Sequence, residues 1–234
     1  MASMRIHPVE FEVFKNLFLS IAEEMGVTLC RTGFSPNIKE RLDYSCAVYD
    51  ANGETIAQGD HMPVHLGAMP LSVRAAIDAV DMAPGDVVML NDPFHGGTHL
   101  PDITLVSPVF VKGMRKSGRN KPSFYVANRA HHSDVGGMSP GSMPVAREIY
   151  QEGLIIPPIR LMHRERMIDD VMAIVRANVR TPEEREGDIA AQIAANRVAQ
   201  SRLRATVAKY GYARTLAYAH ALQDYTERIV RSTV

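Results

Sequence analysis

The chain has 234 residues, 46% hydrophobic and 22% charged, with 26 basic residues balanced by 26 acidic ones. That length can bury a core as one large domain or two small ones, and zero formal net charge without a basic stripe argues against a nucleic-acid binder. No stretch has the apolar length of a membrane span, and no basic segment precedes an apolar run. A soluble, cytoplasmic protein without a signal peptide is therefore expected. The two cysteines, Cys30 and Cys46, lie among apolar residues and read as buried free thiols rather than a disulfide framework.

The first predicted element is a helix. Pro8 suits its first turn, Phe11, Phe14, Phe18, Ile21 and Met25 recur on one face, and Gly26 offers a C-terminal stop. Residues 31–42 are irregular, broken by Gly33, Ser35, Pro36 and Asn37. Two short strands, over 44–49 and 54–57, flank Asp50-Ala51-Asn52-Gly53, whose Asn-Gly pair is a strong hairpin signal. A helix is predicted over 69–80 through Leu71, Ala75, Ile77 and Val80. Val87-Val88-Met89-Leu90, after Pro84-Gly85, reads as a fully buried strand.

Further strands are predicted over 103–111 and 124–127. The segment between them carries Lys112, Arg115, Lys116, Arg119 and Lys121 among Gly113, Ser117, Gly118 and Asn120, which reads as a solvated hairpin tip. Residues 154–161 are apolar with a Pro157-Pro158 break, and from Arg164 onward the composition is helical. Thr181-Pro182-Glu183-Glu184 forms a capping box with proline at the first helical position. The helix starting there carries the stripe Ile189, Ile193, Asn196, Gln200, Leu203 and Val207. Its polar members suggest the water side of the bundle in preference to another subunit. After Gly211 a last helix runs through Leu216, Tyr218, Leu222, Tyr225 and Ile229. The predicted fold class is α+β: a mixed, sheet-containing N-terminal region over 1–160, then a helical region over 161–234.

Chemistry concentrates in two glycine-bounded, histidine-bearing segments. One is Asn91-Asp92-Pro93-Phe94-His95-Gly96-Gly97-Thr98-His99-Leu100-Pro101-Asp102, directly after a predicted strand. The other is Ala130-His131-His132-Ser133-Asp134-Val135-Gly136-Gly137, which also follows a strand. His99 and Asp102, with two residues between them, fall on one side of a turn. Imidazole and carboxylate together suit zinc, manganese or ferrous iron. Alone, that pair is more often structural; the second loop supplies the further ligand that a divalent ion needs. His131 and His132 cannot point the same way along a strand, so one faces the metal and the other lies behind it or toward substrate. Asp134 could orient one of these rings. His61 and His65 form a third pair, which by itself reads as structural. No phosphate loop, dinucleotide fingerprint, serine elbow or C-x-x-C pair is present, so any ATP used is bound by another chain.

At these segments the sequence resembles the hydantoinase B/oxoprolinase family, whose relatives include the large subunits of acetone and acetophenone carboxylases. The resemblance rests on Glu40-Arg41-Leu42-Asp43-Tyr44-Ser45, His61-Met62-Pro63-Val64-His65-Leu66-Gly67-Ala68-Met69, both histidine segments and Asn178-Val179-Arg180-Thr181-Pro182. It covers nearly the whole chain, although members of the family are substantially longer. The resemblance implies an A-type ATPase partner that activates a substrate carbonyl by phosphorylation, and a B-type subunit with a metal centre that completes the reaction. Its metal ligands map onto His99, Asp102, one histidine of the 131–132 pair (His131 favoured) and Asp43. The implied function is ATP-dependent hydrolysis of a small cyclic amide, with His132 or Asp134 in proton transfer. Ketone carboxylation and a non-catalytic module that steadies an ATPase partner remain as alternatives.

Overall fold

The computed structural model describes residues 6–59, 61–65, 67–111 and 121–233. Its elements run α1 (Pro8–Thr32), α2 (Pro36–Lys39), β1 (Tyr44–Asp50), β2 (Thr55–Gln58), α3 (Met69–Ala79), β3 (Val87–Leu90), β4 (Asp102–Val109) and β5 (Phe124–His131). Then come β6 (Ile159–His163), β7 (Arg166–Met167), α4 (Asp169–Asn178), α5 (Pro182–Tyr210) and α6 (Tyr212–Thr233). The α+β expectation holds, with one 7-stranded sheet in the order β2-β1-β5-β4-β3-β6-β7. Every strand pairing in it is antiparallel.

Both faces of the sheet are covered, which is why β1, β3, β4 and β5 are buried at every position. Alternation sorts the side chains. Cys46, Val48, Phe124 and Val126 enter a core with α1, α5 and α6. Ala47, Tyr49, Val88, Val106 and Ala127 meet α3 on the other face. The C-terminal helices thus build the same core as the sheet, with Ile189 and Ile193 of α5 packed on Met89, Ile103 and Leu105.

Tertiary contacts revise five local expectations. Gly26 does not stop α1, which continues to Thr32 and ends at Gly33. Gly26 is instead a point of close approach, where an added Cβ would sit 2.2 Å from His61 Nε2. The strand expected over 124–127 extends to His131 because β1 and β4 both pair with it along that length. The helical character expected from Arg164 begins only at Asp169. Arg166–Met167 first pairs with β6 across a turn in which Arg164 and Glu165 have φ of 49° and 68°. α5 starts at Pro182 as expected, yet Thr181 makes no side-chain cap. Asn196 and Gln200 face neither water nor a partner: they are buried against the sheet, where Asn196 Nδ2 donates to Leu105 O and Ser107 Oγ and Gln200 Nε2 donates to Pro108 O. The basic positions Lys112, Arg115, Lys116 and Arg119 lie outside the described residues. The Asn-Gly hairpin is found between β1 and β2, and neither Cys30 nor Cys46 is in a disulfide, with Cys46 buried and Cys30 half-buried.

Candidate metal centre

The site lies where β4 begins and β5 ends. Asp102 and His131 are directly opposed in the antiparallel register, so their side chains leave the sheet on the same face. The chain between β3 and β4 folds back to bring in His99. Asn91 anchors it, donating from Nδ2 to Leu100 O and Leu154 O and accepting Ile156 N at Oδ1. Leu100 is fully buried, and Asp102 N closes a tight turn onto His99 O. Gly97 is required there, because a Cβ would lie 2.3 Å from the Asn91 carbonyl.

The result is a triangle of ligand atoms. His99 Nε2 lies 2.8 Å from Asp102 Oδ1 and 3.1 Å from His131 Nδ1, and His131 Nδ1 lies 3.0 Å from the same carboxylate oxygen. The second oxygen accepts Thr98 Oγ1 at 2.5 Å and has His65 Nε2 at 3.4 Å. Burial would raise the Asp102 carboxyl, but hydrogen bonds from His131, His65, His99 and Thr98 outweigh it and hold the group far below the carboxylate range. The hydrogen bond to Asp102 likewise raises His99, against partial burial.

Proton bookkeeping favours a cation within this triangle. Two ring nitrogens 3.1 Å apart share one oxygen: if both donate to it, two N–H groups face each other, and if either is bare, its lone pair faces the carboxylate. A divalent ion satisfies all three lone pairs together. A tetrahedral centre with ordinary Zn–N and Zn–O bonds needs ligand edges of about 3.3 Å, so a slight outward give of the side chains accommodates it. His99, Asp102 and His131 are the group among the described residues whose ligand atoms all lie within 4.8 Å of one another.

The other predicted residues lie at different distances from this cluster. Asp43 is held beside it: its carbonyl accepts His131 N, and its carboxylate reaches to 4.0 Å from His65 Nε2. Leu42, at φ 54°, makes the turn that delivers it. His132 points to the opposite face. It is fully buried, with Nε2 on Gln192 Oε1 of α5 at 2.9 Å. Burial, assisted by the Arg185 guanidinium, pushes its pKa down to about 4. Asp134 is bound to the loop that starts α5, accepting Arg180 N, Arg180 Nη1 and Gly136 N.

Sequence reading took one further member of this neighbourhood, His65, as structural and passed over another, Arg129. His65 is buried, with Nδ1 on Ser45 Oγ and Nε2 toward Asp102 and Asp43. Arg129 lies two residues before His131 on the same sheet face. Its Nε donates to Thr104 Oγ1 and its Nη2 to Ser72 Oγ and Gly96 O, tying α3 and the His99 loop to the sheet. The family-like segment holding His65 was the available signal for the first; a lone strand arginine offered none for the second.

An antiparallel sheet walled by long helices ends here in a largely buried imidazole–carboxylate triangle that could hold a metal ion. The chain belongs to the hydantoinase B/oxoprolinase family, whose model matches residues 7–234. It is 33% identical over 230 residues to the caprolactamase subunit beta of Pseudomonas jessenii, covering 97% of this chain and 38% of that protein. The crystal structure of the ATP-dependent caprolactamase from that organism superposes with a TM-score of 0.86 at 31% identity, over 97% of this chain and 39% of that one. 5-Oxoprolinase 1 of Arabidopsis thaliana is 38% identical over 238 residues, covering 95% of this chain and 18% of its own length. A nucleotide-free acetone carboxylase shares the fold, with a TM-score of 0.82 at 19% identity, over 92% of this chain and 28% of that one. The chain thus spans well under half the length of each of these relatives.

Proposed function

We propose that this chain is the metal-bearing part of a B-type subunit in an ATP-dependent cyclic amide hydrolase of the cytoplasm. The observation that carries this reading is the His99–Asp102–His131 triangle at the sheet end of a chain similar throughout to a caprolactamase beta subunit and to 5-oxoprolinases. His99, Asp102 and His131 would hold a divalent ion, zinc, manganese or iron, with Asp43 as the fourth protein ligand. Such an ion supplies Lewis acidity, polarising a carbonyl and easing the deprotonation of water.

The chain's own groups do the rest. An amide carbonyl is a weak electrophile, so a partner ATPase of the A type would phosphorylate it before attack. Thr98 and His65 hold the second oxygen of Asp102, so that its first oxygen faces the cluster. His65 Nε2, between Asp102 and Asp43, is placed to take up and return a proton while Ser45 holds its Nδ1. His132 and Asp134 serve as positioning residues. The first locks the end of β5 to Gln192, and the second locks the following loop to Arg180.

Elemental analysis of the purified chain tests the centre: about one divalent ion per chain is expected, and none in His99→Ala. A His99→Ala protein that keeps full metal occupancy would sink the proposal. Coexpression with an A-type ATPase then tests the reaction. ATP turnover with 5-oxoproline, hydantoin or caprolactam is expected, and turnover only with acetone and bicarbonate would transfer the site to carboxylation.

A further inference from the structure

A second site stands at the opposite end of the sheet. β4 runs from Asp102 at the metal end to Val109, and Ser107 on it lines a groove of 710 Å³ bounded by α5 and the turn after β6. Five residues of strand put it about 17 Å from the metal cluster. The volume is in the range of small-molecule sites. Its floor is apolar, from Val87, Met162 and Ile193.

Its walls carry three arginines. Arg197 and Arg204 are seven residues apart on α5, on the stripe that continues Ile193, so both project from one face about 10 Å apart along the axis. Arg164 faces them from the β6–β7 turn. None of the three guanidinium groups has a hydrogen-bond or ion-pair partner among the described residues, whereas neighbouring Arg160 is paired with Asp86. Asp86 is already engaged by Arg160 and His163, which leaves Glu165 as the one other acidic group in the lining.

The turn that presents Arg164 is built at a cost. Arg164 and Glu165 take left-handed conformations, φ 49° and 68°, where such two-residue turns favour asparagine and glycine. They persist because Arg164 N donates to Asp86 Oδ1 and Glu165 N to Gly85 O. The backbone of that turn fixes where Arg164 leaves the chain, opposite Arg197 and Arg204, which are unpaired among the described residues, so three guanidinium groups border one groove where an anion can bind.

We infer that this groove binds a small phosphate-bearing anion, remote from the metal centre and independent of it. The guanidinium forks match phosphate oxygens in pairs, and the apolar floor takes the body of the molecule. The test is calorimetric titration of inorganic pyrophosphate into the EDTA-treated chain, which removes any binding through a metal at His99. Saturable one-to-one binding is expected, weakened at least tenfold in the Arg197→Gln/Arg204→Gln double variant. Arg228→Gln/Arg231→Gln on α6 should leave it unchanged, and citrate should bind more weakly than pyrophosphate. Because the altered residues are exposed, thermal melts of both variants should match the parent. No saturable binding, equal weakening in the α6 control, or citrate binding as tightly as pyrophosphate would each overturn the inference.

Discussion

At the scale of single residues, the site is organised around one carboxylate. Asp102 accepts from Thr98 and is ringed by His65, His99 and His131, an arrangement that stores negative charge where a cation would be held. Asp102→Asn keeps the shape and removes the charge, so metal affinity should fall by at least about a hundredfold with the fold retained; competition with a chromogenic chelator measures it. Asp86 shows a different use of a buried carboxylate. Burial alone would raise it, but the Ala83 and Arg164 amides, Arg160 and His163 together hold it below its ordinary 3.8. The unfolded chain therefore takes up this proton first on acidification. The stability contributed is complete above about pH 4 and is lost as pH falls through the folded-state value. Urea unfolding should show Asp86→Asn about 2 kcal/mol less stable than the parent at pH 7, with the difference shrinking toward pH 3. A constant difference across that range would contradict this account.

At the scale of elements, α5 is the part whose role sequence periodicity misjudged. Its stripe was legible, but Asn196 and Gln200 carried no sign that they would meet a sheet edge-on with carbonyls to satisfy. Gln192 Nε2 donates to Ile103 O and Asn128 Oδ1, Asn128 Nδ2 donates to Gln192 O and Asn196 Oδ1, and Gln192 Oε1 accepts His132. Gln192→Leu would strand three buried polar groups. A loss of about 3 kcal/mol is expected in chemical denaturation, although leucine has the better helix propensity. The loop before β4 is the second sensitive element. Gly97→Ala drives a methyl into the Asn91 carbonyl, backbone that cannot yield as a side chain would. It should cost about 2 kcal/mol and displace His99, so metal content should drop together with the melting temperature.

At the scale of the whole molecule, the proposed metal centre and its neighbours bring together segments far apart in sequence: the start of β4, the end of β5, the loop before β1 and the turn carrying His65. An ion there binds only the folded state. At a thousandfold excess over its dissociation constant it adds about 4 kcal/mol, which for a chain of this size corresponds to a melting shift of roughly 10 °C. Calorimetric scans with metal and with EDTA should differ by that order, and His99→Ala should melt with the EDTA-treated parent under both conditions. Among the described residues no helix is long and apolar enough to cross a membrane, and the largest apolar surfaces are spent on covering the two sheet faces.

The order of the strands and longer helices from α1 to β5, the buried apolar run at Val87–Leu90, the Asn-Gly hairpin and the candidate pair His99 and Asp102 were readable from local pattern, because periodicity, turn chemistry and ligand spacing are properties of short segments. The preference for His131 over His132 came only from the family resemblance, and β6 and β7 had no predicted counterpart. Asp43 was visible only through family resemblance, since a lone aspartate before a strand has no local signature. The antiparallel register decided what no segment could. It set Asp102 opposite His131 and turned His132 toward α5. It also placed Arg129 and Thr104 together beneath the site. A pairing shifted by one residue would have reversed each of those faces, so the cluster exists only once the strands have met.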